Sequence, residues 1–489
     1  MTTTTKTTLS EVLLREISSG LEREHAAFHA RYPGPSGERQ PIHSYYCAGD
    51  LFRRDLVRNL GEDALRSLKE YAPDFVAFAK AIGLGGSEGL PAAPGAAASL
   101  AEAIAEDAPA FRDCNRAAWF AHTVYTRVRE RLSRAPVEDL RLDFEDGYGN
   151  RPWDEEDRHA AAAAGEIAAA IEAGGAMPSI GIRIKPFSED LRARSLRTLD
   201  ILVTELAAKA RGKFPAKFFV NLAKVTVSGE VAALAKACAH LEELLALTPG
   251  TLRIELMIET TQAVINERGE ANLLPLVDAA RGRCDSVHLG VYDYTAARGI
   301  TAAHQRMRHP ACDFAREVMR VALAGTGVRV SDGGTNVLPV GPHKSGAGVA
   351  LTPQQVAENR AAVHAAWKLH FADVRHSLEN GLYQGWDLHP AQLPTRYAAV
   401  YSFFLESLEP AAARLRALIE KGSQPSGGEV ADDAATGQGL LGYVLRAVDC
   451  GAVTEQEAES MTGLAAAEIR RGSFAQIVAG RRRKPETRG

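Results

Sequence analysis

A chain of 489 residues, 46% apolar and 24% charged, has the composition of a globular protein large enough for an α/β barrel and an accessory domain. Its 57 Lys and Arg against 61 Asp and Glu leave a formal net charge of −4, so no general field favours nucleic acid or anionic membranes, and neither is expected as a partner. Six cysteines, scattered without Cys-x-x-Cys spacing, argue against a zinc site or disulfide framework and for a reducing compartment.

The N-terminal Met-Thr-Thr-Thr-Thr-Lys-Thr-Thr lacks the apolar core of a signal peptide, and no run reaches the roughly 18 apolar residues of a membrane span. A cytoplasmic location is expected. Strand-like runs then recur at the spacing of βα units: His43–Gly49, Leu140–Glu145, Ser179–Lys185, Lys217–Ala223, Leu252–Glu259, Ser286–Asp293, Gly327–Asp332 and Tyr383–His389. Between them lie stretches rich in Ala, Leu, Glu and Arg at helical spacing, among them Arg158–Glu172, Arg194–Arg211, Glu230–Ala246 and Phe314–Ala324. An Ala- and Pro-rich helical insertion at about 62–135 separates the first two strands. A Gly-rich stretch from Asp332 to Gly348 precedes a helix at 352–379. After His389 a helix at about 396–421 leads through a Gly/Ser linker at 422–428 to a helical tail ending near 480, and the Arg-Arg-Arg-Lys run at 481–484 reads as a solvated tail.

Eight strands alternating with helices most economically close into a (β/α)8 TIM barrel, predicted here over residues 1–395 with an N-terminal helix, followed by a C-terminal helical lid over 396–489. A doubly wound open sheet is the alternative. No strand is followed by a Gly-x-Gly-x-x-Gly turn, and there is no Gly-x-x-x-x-Gly-Lys-Ser/Thr loop, so no motif supports nucleotide binding.

In a barrel the C-terminal strand ends converge, whatever their separation in sequence. Those ends carry Asp143, Glu145 and Asp146, then Arg183 and Lys185, Asn221 and Lys224, Glu259, Asp293, Asp332 and His389. Glu259 and Asp293 close two apolar runs one βα unit apart. Two hard oxygen ligands meeting there suit Mg²⁺, and a cation would relieve the cost of burying unpaired carboxylates. A salt bridge to Arg183 or Lys224 would serve the same end. Arg183, inside Ile180-Gly-Ile-Arg-Ile184, needs an anionic partner, either a substrate or the Asp143 and Glu145 carboxylates. Glu145 and Asp146 either join the site or cap the next helix. Lys224 is a substrate-binding candidate or a surface lysine, and His389 a substrate contact or a structural histidine.

In this order Leu142-Asp-Phe-Glu-Asp146, Gly181-Ile-Arg-Ile184, Leu222-Ala-Lys-Val225, Ile258-Glu-Thr260, Gly290-Val-Tyr-Asp293 and Gly385-Trp-Asp-Leu-His-Pro390 resemble the pyruvate/phosphoenolpyruvate-type barrels, notably the HpcH/HpaI aldolase–citrate lyase β-subunit group and its relative malate synthase. The resemblance covers about 40–395. It implies Mg²⁺ (or Mn²⁺) held by Glu259 and Asp293 and chelated by a 2-oxo acid. Arg183 would polarise the developing enolate or alkoxide, with Glu145 and Asp146 beside the metal. The expected activity is that of a carbon–carbon lyase or aldolase on a 2-oxo acid or acyl-CoA. The alternatives are a malate synthase-like condensation of an acyl-CoA with glyoxylate, and a barrel that binds its ligand without turnover. A homo-oligomer is expected.

The tail segment Asp432-Asp-Ala-Ala-Thr-Gly-Gln-Gly439 resembles the C-terminal segment of malate synthase, in which an acid before Ala-Ala-Thr is the catalytic base. That alignment implies Asp433, an alignment to citrate-lyase-like lids implies Asp432, and a plain helix cap is the alternative to both. Three features depart from these patterns. The extra domain of long malate synthases is not evident, the first strand lacks the Arg-Ser of the lyase-like proteins, and the stretch at 333–350 fits neither. The CoA thioester therefore stays a candidate substrate whose binding residues are not placed.

Overall fold

All eight apolar runs form strands in the computed structural model, which describes residues 8–34, 38–174, 179–211, 213–346, 350–423 and 431–482, the side chains of 431–433 excepted. The strands are β1 His43–Ala48, β2 Asp139–Asp143, β3 Ser179–Ile184, β4 Phe218–Leu222, β5 Leu252–Ile258, β6 Cys284–Leu289, β7 Arg329–Ser331 and β8 Gly385–Asp387. Every pair is parallel, in the order β7-β6-β5-β4-β3-β2-β1-β8. Residues just past β7 close the cylinder onto β8. Trp386 N donates to Gly333 O (2.9 Å), Asp332 N donates to Gln384 O (2.8 Å), and Gly334 bridges to Trp386. The fold is a (β/α)8 barrel, as the alternation of runs predicts.

Every strand stops one to four residues short of its expected end, and β6 and β8 show why. β6 stops at Leu289 rather than Asp293, because the chain turns at Gly290 into a short helix, Val291–Ala297, whose first turn holds Asp293. The sequence Gly-Val-Tyr-Asp continues an apolar run, and periodicity alone cannot separate a buried strand from the helix after it. β8 stops at Asp387, so His389 falls beyond the sheet as the cap of a 3-10 turn, Pro390–Gln392.

One alternating set of strand positions is apolar and wholly buried, including Leu142, Ile182, Ile254, Leu256 and Leu289. The other set is charged. Arg141 donates through Nε and Nη2 to Glu255 (2.7 and 2.8 Å) and through Nη1 to Asp139 (2.6 Å), while Ser286 Oγ donates to Glu255 (2.8 Å). Gly181 makes room for this layer, since a Cβ there would lie 2.3 Å from Phe219 O. A buried ion pair of this kind adds little net stability while intact and costs about 3–5 kcal/mol when one partner is removed.

The insertion between β1 and β2 folds as the helices Leu56–Tyr71, Phe75–Ile82, Ala96–Glu106, Ala108–Cys114 and Arg116–Arg134. Trp367, on helix Pro353–Glu379, packs edge-on against Phe78 (5.7 Å) and Tyr71 (6.4 Å) of that insertion. The tail helices Ala431–Asp449, Glu455–Thr462 and Phe474–Arg482 pack on the long helix Leu393–Ser423, where Tyr443 Oη donates to Phe404 O (2.8 Å), and Ala466–Arg471 packs on the first two of them. The tail also reaches the N-terminal face of the barrel. Arg39 donates to Asp449 O and to Glu138, the residue that precedes β2. No helix among the described residues is long and apolar enough to cross a membrane.

Candidate active site

The site begins at Asp143, the last residue of β2. Its Oδ1 accepts from Glu145 N (2.9 Å) and its Oδ2 from Gly147 N (2.8 Å), so the chain folds back over the carboxylate. Only glycine fits at 147, because a Cβ would lie 2.4 Å from Asp143 Oδ2. Arg183 on β3 clamps the same carboxylate, with Nε 2.7 Å from Oδ1 and Nη2 bonded to Oδ2, and its Nη1 stands 3.4 Å from Glu145 Oε2. The Tyr46 and Trp386 rings flank the guanidinium at 5.0 and 5.9 Å. Burial opposes the Arg183 charge, but the Asp143 and Glu145 carboxylates outweigh it and hold its pKa well above the ordinary value.

Lys224 follows β4 with a left-handed backbone (φ +49°), a conformation that costs a non-glycine residue on the order of 1 kcal/mol. This turn aims its backbone N–H at Glu259 Oε1 (2.6 Å) and its ammonium into a ring of acids. Nζ bonds Glu145 and Asp146 (3.0 Å to Oδ2) and lies 3.7 Å from Asp293 Oδ2. Burial opposes the Lys224 charge, yet the hydrogen bond to Glu145 and the charge on Glu259 raise its pKa. Burial raises Glu145, against the pull of Arg183 and Lys224. Asp146, more open, is lowered because the Lys224 hydrogen bond overcomes its own partial burial.

Glu259, one residue past β5, is 2% exposed. Burial, reinforced by the charges on Asp293 and Glu145 and resisted by Lys224 and Arg183, pushes its pKa up to about 7. Gly290 is shaped to receive it, since a Cβ at 290 would lie 2.2 Å from Glu259 Oε2. The expectation that Glu259 and Asp293 both end buried strands is corrected here. Asp293 sits one helical turn further on, its side chain 41% exposed.

The structure thus brings Glu145, Asp146, Arg183, Lys224, Glu259 and Asp293 to one place. Lys185 lies apart, bonded to Glu156 (2.9 Å), and so does Asp332, which accepts from Arg316 (2.9 Å) and Ser377 (2.5 Å). Asn221 lies in the barrel interior, 3.5 Å from Glu255. His389 accepts from Ala391 N through Nδ1 (3.2 Å) and lines a separate cavity of ≈ 260 Å³ with Asp63 and Gly341. Asp432 and Asp433 lie outside the residues whose side chains are described. Sequence reasoning passed over Gly147, Gly290, Tyr46 and Trp386. Gly147 could have been found from its place beside an acid in Glu-Asp-Gly, whereas Gly290 serves Glu259, an acid outside its own run.

Five carboxylates here face two cations. Among the described residues no three His, Cys, Asp or Glu side chains close to a metal-binding spacing, and the Lys224 ammonium holds the acids apart. The donor chemistry nevertheless fits a hard divalent ion, which commonly takes one or two protein carboxylates and completes its shell with ligand and water oxygens. Glu259 and Asp293 supply that pair, and Glu259 is a buried carboxylate whose direct hydrogen bond comes from a neutral backbone amide.

The profile of one family, described as a domain of unknown function (DUF6986), matches residues 21–477. No curated protein matches the sequence. Among solved structures, the chain is similar to Haloferax volcanii malate synthase in its pyruvate/acetyl-CoA ternary complex, at 17% identity and a TM-score of 0.34 over 53% of this chain and 60% of that one. It is similar also to the magnesium/glyoxylate complex of that enzyme (14% identity, TM-score 0.37, 71% and 88% covered) and to its lead(II) complex (13%, 0.37, 68% and 89%). At identities and scores this low, the likeness carries no argument about function.

Proposed function

The chain belongs to the DUF6986 family, and we propose that it is a divalent-metal-dependent carbon–carbon lyase of the HpcH/HpaI–citrate lyase type, acting on a 2-oxo acid through an enolate. The observation that carries this reading is Glu259, a carboxylate buried at the C-terminal face of a barrel beside Asp293, Glu145 and Asp146 with too little positive charge around it. Glu259 and Asp293 would hold Mg²⁺ or Mn²⁺, which when bound supplies Lewis-acid polarisation of the substrate carbonyl.

The remaining roles fall to the chain itself. Arg183 is fixed by Asp143 and presents Nη1, its least committed arm, to an oxygen on which charge develops. Lys224 pairs with the substrate carboxylate, and Glu145, raised in pKa and bonded to Lys224, holds or releases a proton beside it. The Tyr46 and Trp386 rings exclude water from the guanidinium. Asp433, or Asp432 in the lyase-type alignment, is the proposed base for a carbon acid. The test is to incubate the protein with Mg²⁺ and 4-hydroxy-2-oxo acids and follow pyruvate, with a parallel arm of glyoxylate and acetyl-CoA followed by free thiol. Pyruvate release supports the lyase. Thiol release instead assigns the malate synthase-like condensation. Neither product above the level of a Glu259→Gln control would overturn both.

A further inference from the structure

Away from the acid cluster, a cavity of ≈ 450 Å³ opens between helices Phe75–Ile82 and Pro353–Glu379. Arg360, His364 and Lys368 recur every four residues along the second helix, which puts them on one face, and Lys80 comes from the first. Among the described residues no acid lines this cavity. The Lys80, Arg360 and Lys368 side chains are all exposed, and none makes a hydrogen bond or ion pair among the described residues. Single exposed arginines such as Arg23, Arg134 and Arg414 are likewise unpaired among the described residues, but here three cations share one concave surface.

In a chain of net charge −4, three unpaired cations around one concave surface cost mutual repulsion and gain no internal contact. One wall is fixed in advance. His364 Nε2 is 2.8 Å from Tyr71 O, and its ring stacks on Trp367 at 5.9 Å and 15°. The volume lies within the ~300–1,000 Å³ of small-molecule sites, more than a bare anion fills, and Tyr71 and Pro73 offer flat surface beside the charges.

We propose that this groove binds a small molecule through a diphosphate, either free or borne by a nucleoside, with Arg360, Lys368 and Lys80 facing the anionic oxygens. Arginine supplies a planar two-pronged donor and the lysines supply point charges, a combination suited to adjacent phosphate groups. The site is independent of the acid cluster and of the reaction proposed there.

The test is calorimetric titration with inorganic pyrophosphate and with ADP, in metal-free buffer so that neither binds through a cation at Glu259. Saturable one-site binding is expected. It should weaken at least tenfold in the Lys80→Gln/Arg360→Gln/Lys368→Gln variant and hold steady in Glu259→Gln and in Lys236→Gln, a substitution at an exposed lysine of another helix. The tighter of the two ligands tells whether the diphosphate is free or nucleoside-borne. Because the three positions are exposed, the variant should fold. Absence of saturable binding by either ligand, or undiminished affinity in the triple variant, would overturn the proposal.

Discussion

Replacing Glu259 with glutamine should make the metal-free protein more stable at alkaline pH while destroying the site. The glutamate titrates near 7 in the folded chain, against an ordinary value of 4.5. Folding therefore favours its neutral form. That contribution is whole below about pH 4.5 and is lost as pH rises through 7. Each factor of ten in proton affinity is worth about 1.4 kcal/mol, so the loss by pH 8.5 approaches ~3 kcal/mol. Glutamine keeps the shape and never ionises. With an unfolding entropy of about 2.1 cal/mol/K per residue over 489 residues, the melting temperature of Glu259→Gln minus that of wild type should rise by about 3 °C between pH 4.5 and 8.5. The measurement is differential scanning calorimetry of both proteins in EDTA across that range. Saturating Mg²⁺ should then raise the wild-type melting temperature at pH 8.5 and leave the variant unmoved. Equal pH slopes for the two proteins would refute the reasoning, as would an Mg²⁺ response that survives the substitution.

Arg183→Lys should lower turnover by about 10²-fold or more, the order expected for losing one transition-state donor, because an ammonium cannot hold Asp143 through two prongs and reach a substrate oxygen as well. Near wild-type rates in steady-state assays would reduce Arg183 to a structural partner of Asp143. Gly290→Ala should displace Glu259 and weaken Mg²⁺ affinity about tenfold or more without unfolding the barrel, since the added Cβ would sit 2.2 Å from Glu259 Oε2. An unchanged dissociation constant by isothermal titration would mean that Glu259 does not ligate. Asp433→Asn, or Asp432→Asn under the lyase-type alignment, should abolish turnover yet leave Mg²⁺ binding intact. Normal rates in both variants would remove the tail from the mechanism.

The barrel was legible because β-branched and apolar runs such as Ile180–Ile184 and Phe218–Leu222 are buried on both faces, a pattern that local sequence carries by itself. The acids were legible for the same reason, as charges closing apolar runs. What stayed hidden depends on pairing across the fold. Glu255 read as one polar break in an apolar strand, and only its contact with Arg141, 114 positions away, reveals a charged layer through the barrel. Asp293 was misplaced because its helix begins within an apolar run. The role of Gly290 could not be read from a single run, since the glycine serves an acid on the neighbouring strand.

The seam that completes the barrel has a further consequence. β7 and β8 are three residues each, so the cylinder closes there through Asp332, Gly333 and Gly334 rather than through a long ladder. Two residues further on, Asn336 N donates to Tyr292 Oη (2.9 Å), and Tyr292 is the neighbour of Asp293. Thr335 is tied in the same way, its carbonyl accepting from Gln392 (2.8 Å) and its hydroxyl donating to Asp373 (2.8 Å). The short joint that closes the cylinder and the anchor of the residue next to Asp293 are consecutive pieces of one strap. Opening of the seam would remove the anchor of the residue next to Asp293. Anything that fastens Asp293 also tightens the hoop, so solvent exchange at the Trp386 amide would serve as a remote gauge of events among the acids.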